Sequence, residues 1–299
     1  MLHHRPSSIF ATVIPSSRFH LTTRRLLGKR IKLGHNKAMT ALTTWYQGMK
    51  GSIRPVVHFR SDRYWEVDAW RGFAIVIMVI YHLVWDLYGL AGWDIEMYTG
   101  FWHYWQLVTA SSFIGLVGVS MSLRAGRMRQ KGTMRFGPFF RRGLIIFSWG
   151  VVISLVTWIY QPASYVRFGI LHFIGVAMIL AYPFLRFRWL NLILGVALLL
   201  TPEVISWRHD MAWLAWLGMI REPQPAFDYF PVIPWLGVAL LGIFVGNMLY
   251  PKGKRAFSMP DGSRYAPVRW LALAGQNSLL LYLIHQPILI TLLILSGLI

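Results

Sequence analysis

The chain alternates long apolar runs with short polar or charged segments. Seven runs stand out, over roughly Val67–Tyr88, Trp105–Leu123, Gly143–Tyr160, Phe168–Leu185, Trp189–Ser206, Tyr229–Tyr250 and Trp270–Ile299. Runs of this length match the hydrocarbon core of a bilayer, about 30 Å thick, at about 1.5 Å rise per residue. The pattern therefore predicts an all-α fold, a polytopic membrane bundle of about seven transmembrane helices. The last run carries Gly275-Gln276-Asn277, which predicts a short helix, a break, and a span from Ser278 onward. No internal repeat is visible.

The polar segments set the orientation. The loops 124–142 and 251–269 are rich in Lys and Arg, and 186–188 carries Arg186 and Arg188. The loops 89–104 and 161–167 hold no more than Arg167, and 207–228 offsets Arg208 and Arg221 with three acids. Basic loops stay on the cytoplasmic side, so the N-terminus is expected there and the C-terminus outside.

Composition agrees, with 56% hydrophobic and 14% charged residues, far from a soluble domain. The net charge of +19 is concentrated at one end, because residues 1–61 hold 11 Lys/Arg and no acid. This basic leader is expected to be either an over-long start, with Met39 or Met49 as the true first residue, or a disordered arm on anionic lipid. An organellar targeting peptide is the less favoured reading. The membrane domain is expected over 62–299. A nucleic-acid partner is not expected, since the basic residues lie in a leader and membrane loops rather than on a soluble domain. Cysteine is absent, which removes disulfides, thiolate nucleophiles and thiolate metal sites.

Ionisable residues inside apolar runs are costly and mark function. In AWRGFAIVIMVIYH, Arg71 precedes His82 by 11 residues, close to three helical turns and about 16 Å. Arg71, His82 and Asp86 therefore share one face, with Asp68 a turn earlier as ion-pair partner for Arg71. His103 ends the outer loop, His172 opens the fourth run, and His285 lies within the last. Four histidines delivered to similar depth by separate segments predict a shared polar chamber.

Four stretches carry a resemblance: VDAWRGFAIVIMVIYHLVWDL, FIGLVGVSMSL, RFGILHFIGVAMIL and LAGQNSLLLYLIHQPIL. In this order they resemble the membrane acyltransferases related to heparan-α-glucosaminide N-acetyltransferase, especially their small bacterial relatives. The resemblance implies acyl transfer, acetyl foremost, from acetyl-CoA or another acyl-CoA at the cytoplasmic face to a sugar or glycan hydroxyl or amine outside. It also implies a multi-pass protein of the bacterial cytoplasmic membrane, with a glycan or lipid-linked saccharide as acceptor. A homodimer is compatible with it. His285 matches the terminal-span histidine of the family, and the catalytic part falls to His82 or His103, with His82 favoured.

The residue types suit that chemistry. Arginine binds phosphate bidentately, so Arg71, Arg141 and Arg142, at inner span ends, are the donor-binding candidates. Asn277 and Ser278 at the predicted break could contact the pantetheine arm or cap the last helix, and His172 completes the cofactor-side set. An imidazole can act as general base or take the acyl group itself; both routes stay open. Asp86 could fix its tautomer. No metal is expected, because the membrane histidines lack a ligand pattern such as HExxH. The rival reading, a transporter or proton-coupled permease, predicts inverted repeats and paired broken helices, and only the last run looks broken.

Overall fold

The computed structural model describes residues 39–60, 63–204, 212–219 and 226–299. Most of the leader, the end of the fifth run at Ser206, and Arg208 and Arg221 lie outside the described residues. The chain divides into two compact units, Met1–Gly48 and Met49–Ile299. Within the first, residues 39–48 are helical.

The second unit contains α1 (Trp65–Gly89), α2 (Gly100–Gln130), α3 (Gly137–Tyr160), α4 (Ile170–Leu180), α5 (Trp189–Val204), α6 (Val232–Leu249), α7 (Ala266–Gln276) and α8 (Ser278–Leu295). No strand occurs among the described residues beyond one isolated bridge, Phe168 to Tyr229. Five helices, α1, α2, α3, α6 and α8, are long and apolar enough to cross a membrane; α4 and α5 are apolar but shorter. The all-helical bundle is thus present, with five of the seven apolar runs long enough as helices to span and α4 and α5 shorter among the described residues.

The differences have physical causes. α2 is longer than its apolar run, because Arg, Met, Ala and Gln after Leu123 are good helix formers and basic side chains suit a helix C-terminus. Arg124, Arg127 and Arg129 are therefore helical, not loop, residues, and His103 sits in the first turn of α2. α4 is only 11 residues long. Its start waits for Phe168, which is held extended against Tyr229, and its end gives way to a 3-10 turn, Tyr182–Arg186, containing Pro183. The predicted break is there: α7 ends at Gln276 and α8 begins at Ser278.

α4 is buried almost all round. It forms the centre of a core with α2, α3 and α6, in which Ile114, Phe139, Phe173 and Ile243 are fully enclosed. Elsewhere, glycines let backbones touch, as small residues do at membrane helix interfaces. At Gly72 an added Cβ would lie 1.8 Å from the Leu271 carbonyl oxygen; at Gly275 it would lie 1.8 Å from that of Asp68. Each helix thus occupies the side-chain space of the other, which ties α1 to α7 and aligns the start of the last span.

Candidate functional site

The site is built on one stripe of α1. Tyr64, Val67, Asp68 and Arg71 follow helical spacing, and Ile75, Met78, His82 and Asp86 continue it on the same face. Facing its first part is a stripe of α2, Ser120, Leu123, Arg124, Arg127 and Met128, continued by Lys131 at its C-cap. Between them, with Arg63, lies a cavity of about 330 Å³.

Asp68 organises this cavity. It is 1% exposed, and a buried carboxylate must be fully paired. Its Oδ1 accepts from Arg71 at 2.7 Å and Arg63 at 2.8 Å, and its Oδ2 from Gln276 at 3.1 Å. The second arm of Arg71 donates to the Ser120 hydroxyl at 2.7 Å. The expected Asp68–Arg71 pair is therefore present, but Arg63 shares it. Arg142 is half-buried within reach of the charges of Arg124, Arg71 and Arg63, and Arg141 is exposed; neither lines the cavity. Nearby, Glu66 takes a two-pronged bond from Arg255, at 2.9 and 2.6 Å, which anchors the start of α1 to the α6–α7 connection.

Three turns along α1, His82 meets His285 of α8, ring centroids 4.7 Å apart and nearly perpendicular. The Nδ1 of His82 bonds the Met78 carbonyl at 2.9 Å and that of His285 the Tyr282 carbonyl at 2.7 Å. A carbonyl can only accept, so each Nδ1 carries the proton and each Nε2 keeps its lone pair. Asp86 does not set this tautomer; its Oδ1 accepts from the Gln286 amide at 2.5 Å. Four buried side-chain polar atoms among the described residues have no protein partner, and three belong here: His285 Nε2, Asp86 Oδ2 and Gln286 Oε1. Native interiors rarely leave such atoms unpaired away from functional sites.

The other two histidines stand elsewhere. His103 is half-buried beside Tyr104. His172 is buried between Phe147 and Phe168, and its Nδ1 accepts from the Gly169 N–H at 3.2 Å, so it caps α4. The structure thus joins two of the four predicted imidazoles. Asn277 also departs from expectation. It makes no side-chain cap to α8; its amide pairs with both backbone groups of Val56, at 2.7 and 3.0 Å, and clamps the segment before α1 across the helix break. Ser278 is the first residue of α8, half-buried beside that clamp.

The family profile of the heparan-alpha-glucosaminide N-acetyltransferase catalytic domain matches residues 63–287. The chain belongs to this family. No curated protein and no solved structure matches it. The N-acetyltransferase match opens at Arg63, the first arginine of the cavity, and closes two residues after His285. It therefore contains both the basic cavity and the histidine pair. Family membership and the five long apolar helices together make the protein a multi-pass membrane transferase of the acetyltransferase type. Among the described residues no group of three His, Cys, Asp or Glu side chains is placed to hold a metal ion.

Several members of the candidate site were not singled out from sequence. Arg124, Arg127 and Lys131 were read as loop charges, although their spacing with Ser120 and Leu123 is that of one helix face. Gln286 carries no local signal, because its partner lies 200 residues away, whereas Arg63 is only five residues from Asp68 but precedes the helix, outside its periodicity. Asp228 is another. It accepts from Ile170 N–H at 2.8 Å at the start of α4, and burial pushes its carboxyl up from 3.8 to about 6. A raised carboxyl favours the protonated fold, so this contribution to stability is complete below about pH 4 and fades as pH rises through about 6. Asp228→Asn keeps the acceptor without the charge. It is expected to stabilise the protein by about 1–3 kcal/mol at pH 8 and to make little difference at pH 4, as read by thermal unfolding in detergent. A stability gain independent of pH would contradict this origin.

Proposed function

We propose that the protein transfers an acetyl group from acetyl-CoA, held at the basic cavity, to a sugar or glycan hydroxyl or amine on the opposite side, through the His82–His285 pair. The observation that carries this reading is the pairing of imidazoles from the first and last spans, on the same α1 stripe as Arg71 and about 16 Å from it. The five basic side chains lining the cavity suit the phosphates of CoA. An extended pantetheine arm then brings the thioester along α1 to the rings.

An Nε2 lone pair takes the proton of the acceptor O–H or N–H as that atom attacks the thioester carbonyl. The C–S bond breaks, and the thiolate of CoA takes the proton from the imidazolium to leave as the free thiol. The positive-inside pattern supports a cytoplasmic cavity. Arg71, with Arg142 within reach of its charge, binds the donor; Asp86 and Gln286 orient the acceptor beside the rings.

Purified protein in detergent, given acetyl-CoA labelled in the acetyl group and a panel of amino sugars, neutral sugars and glycolipids, is expected to release CoA thiol in step with acceptor labelling. Arg71→Ala is expected to raise the donor KM at least about tenfold, since it removes a charge-assisted phosphate contact. A wild-type protein that neither binds acetyl-CoA nor labels any acceptor would overturn the proposal.

A further inference from the structure

The cavity is not evenly charged; it is a ladder. Its polar lining residues on α2 and at its C-cap fall at 120, 124, 127 and 131, which at helical rise spreads them over about 16 Å. Ser120 is half-buried and bonded to Arg71. Arg124, Arg127 and Lys131 follow in order toward the surface, and all three are exposed. The guanidinium carbon of Arg127 stands over the Tyr64 ring, 5.1 Å from its centre, a cation–π contact that holds the side chain at the cavity. Five basic residues face a single carboxylate, and that carboxylate is already saturated by Arg63, Arg71 and Gln276. Arg124, Arg127 and Lys131 therefore offer positive charge that Asp68 does not take up.

A ladder of this length suits an anion whose phosphates are spaced apart. A diphosphate alone would occupy the inner rungs, near Arg63 and Arg124. A separate phosphate monoester, carrying a charge of about −1.5 to −2, is needed to use the outermost rungs. We infer that Arg127 and Lys131 form a subsite for the 3′-phosphate of the donor nucleotide, and that the protein thereby selects 3′-phosphorylated acyl-CoA over its dephospho form. This deepens the proposed function and rests on it, since it assumes the thioester points from the cavity toward the histidine pair.

The test compares acetyl-CoA with 3′-dephospho-acetyl-CoA as donors for the full-length protein in nanodiscs. The wild type is expected to show a kcat/KM ratio of about tenfold or more in favour of the phosphorylated donor. Lys131→Ala and Arg127→Ala are expected to bring that ratio toward one, with the loss falling on acetyl-CoA. Arg129→Ala removes the same charge from another face of α2, outside the cavity lining, and is expected to keep the ratio. Equal use of both donors by wild type, or an equal effect of Arg129→Ala, would overturn the subsite while leaving the proposed transfer intact. Failure to use either donor would instead count against the transfer itself.

Because a phospholipid headgroup carries the same chemistry, the assay is repeated in phosphatidylcholine discs with and without phosphatidylglycerol. Donor discrimination independent of the anionic lipid supports the nucleotide subsite. Displacement of acetyl-CoA by phosphatidylglycerol, lost in Lys131→Ala, would assign the rungs to lipid and overturn the inference.

Discussion

His82→Ala and His285→Ala are each expected to lower kcat by about 10²–10⁴-fold, the usual worth of a positioned general base, while donor KM changes by no more than about twofold. The split follows from position. Donor affinity is assigned to the basic cavity, about 16 Å away along α1, so losing a ring removes an interaction made only as the acceptor reacts. His103→Ala is the natural comparison. His103 is half-buried beside Tyr104, apart from the pair, and its loss is expected to leave kcat within about threefold. His172→Ala should show a different signature. That ring caps α4 and packs between Phe147 and Phe168, so the variant is expected to lose stability, by about 1–3 kcal/mol for a lost cap and a packing void together. Kinetics and thermal unfolding of the four variants, measured on monodisperse preparations, separate these roles.

The second large effect concerns packing. Gly72→Ala is expected to destabilise the protein by about 3 kcal/mol or more, at or above the upper end for an overpacked contact. Its Cβ would stand 1.8 Å from one backbone atom and 2.6 Å from the next on α7, and a backbone cannot rotate away as a side chain can. α7 must move bodily. That motion strains the Gln276 bond to Asp68 and the start of α8, which carries His285, so activity should fall together with stability. Gly115→Ala supplies the contrast. Its Cβ would meet nothing within 4 Å, so this mid-helix change is expected to be neutral or stabilising, by up to about 1 kcal/mol. If both alanine variants melted like wild type, the tight α1–α7 contact would be wrong.

How much of this was legible in the chain depends on the range of the interaction. Apolar runs and their lengths report the bundle, because burial in lipid is a local property of composition. The Asp68–Arg71 pair and the shared face of Arg71, His82 and Asp86 follow from helical periodicity alone. Helix length is less legible where distant contacts decide it: Phe168 pairs with Tyr229, and Asp228 supplies the acceptor at the start of α4. The shared chamber was read too broadly for a related reason. Depth along a helix is visible in sequence, but rotation and the choice of neighbours are not, and these separate His172 from His285. The α2 stripe was missed through an assumption rather than for lack of signal, since hydropathy ends a span where the lipid ends while the helix runs on to Gln130.

The central claim is that one ring from the first span and one from the last work as a single unit. A double-mutant cycle on acetyl transfer, with His82→Ala, His285→Ala and both together, tests it most directly. Groups acting as a unit lose little more when both are removed than when the worse one is, so the double variant is expected to turn over within about tenfold of the slower single variant, with acetyl-CoA binding preserved in all three. Transfer at the wild-type rate in the double variant, or losses that multiply in full, would contradict it.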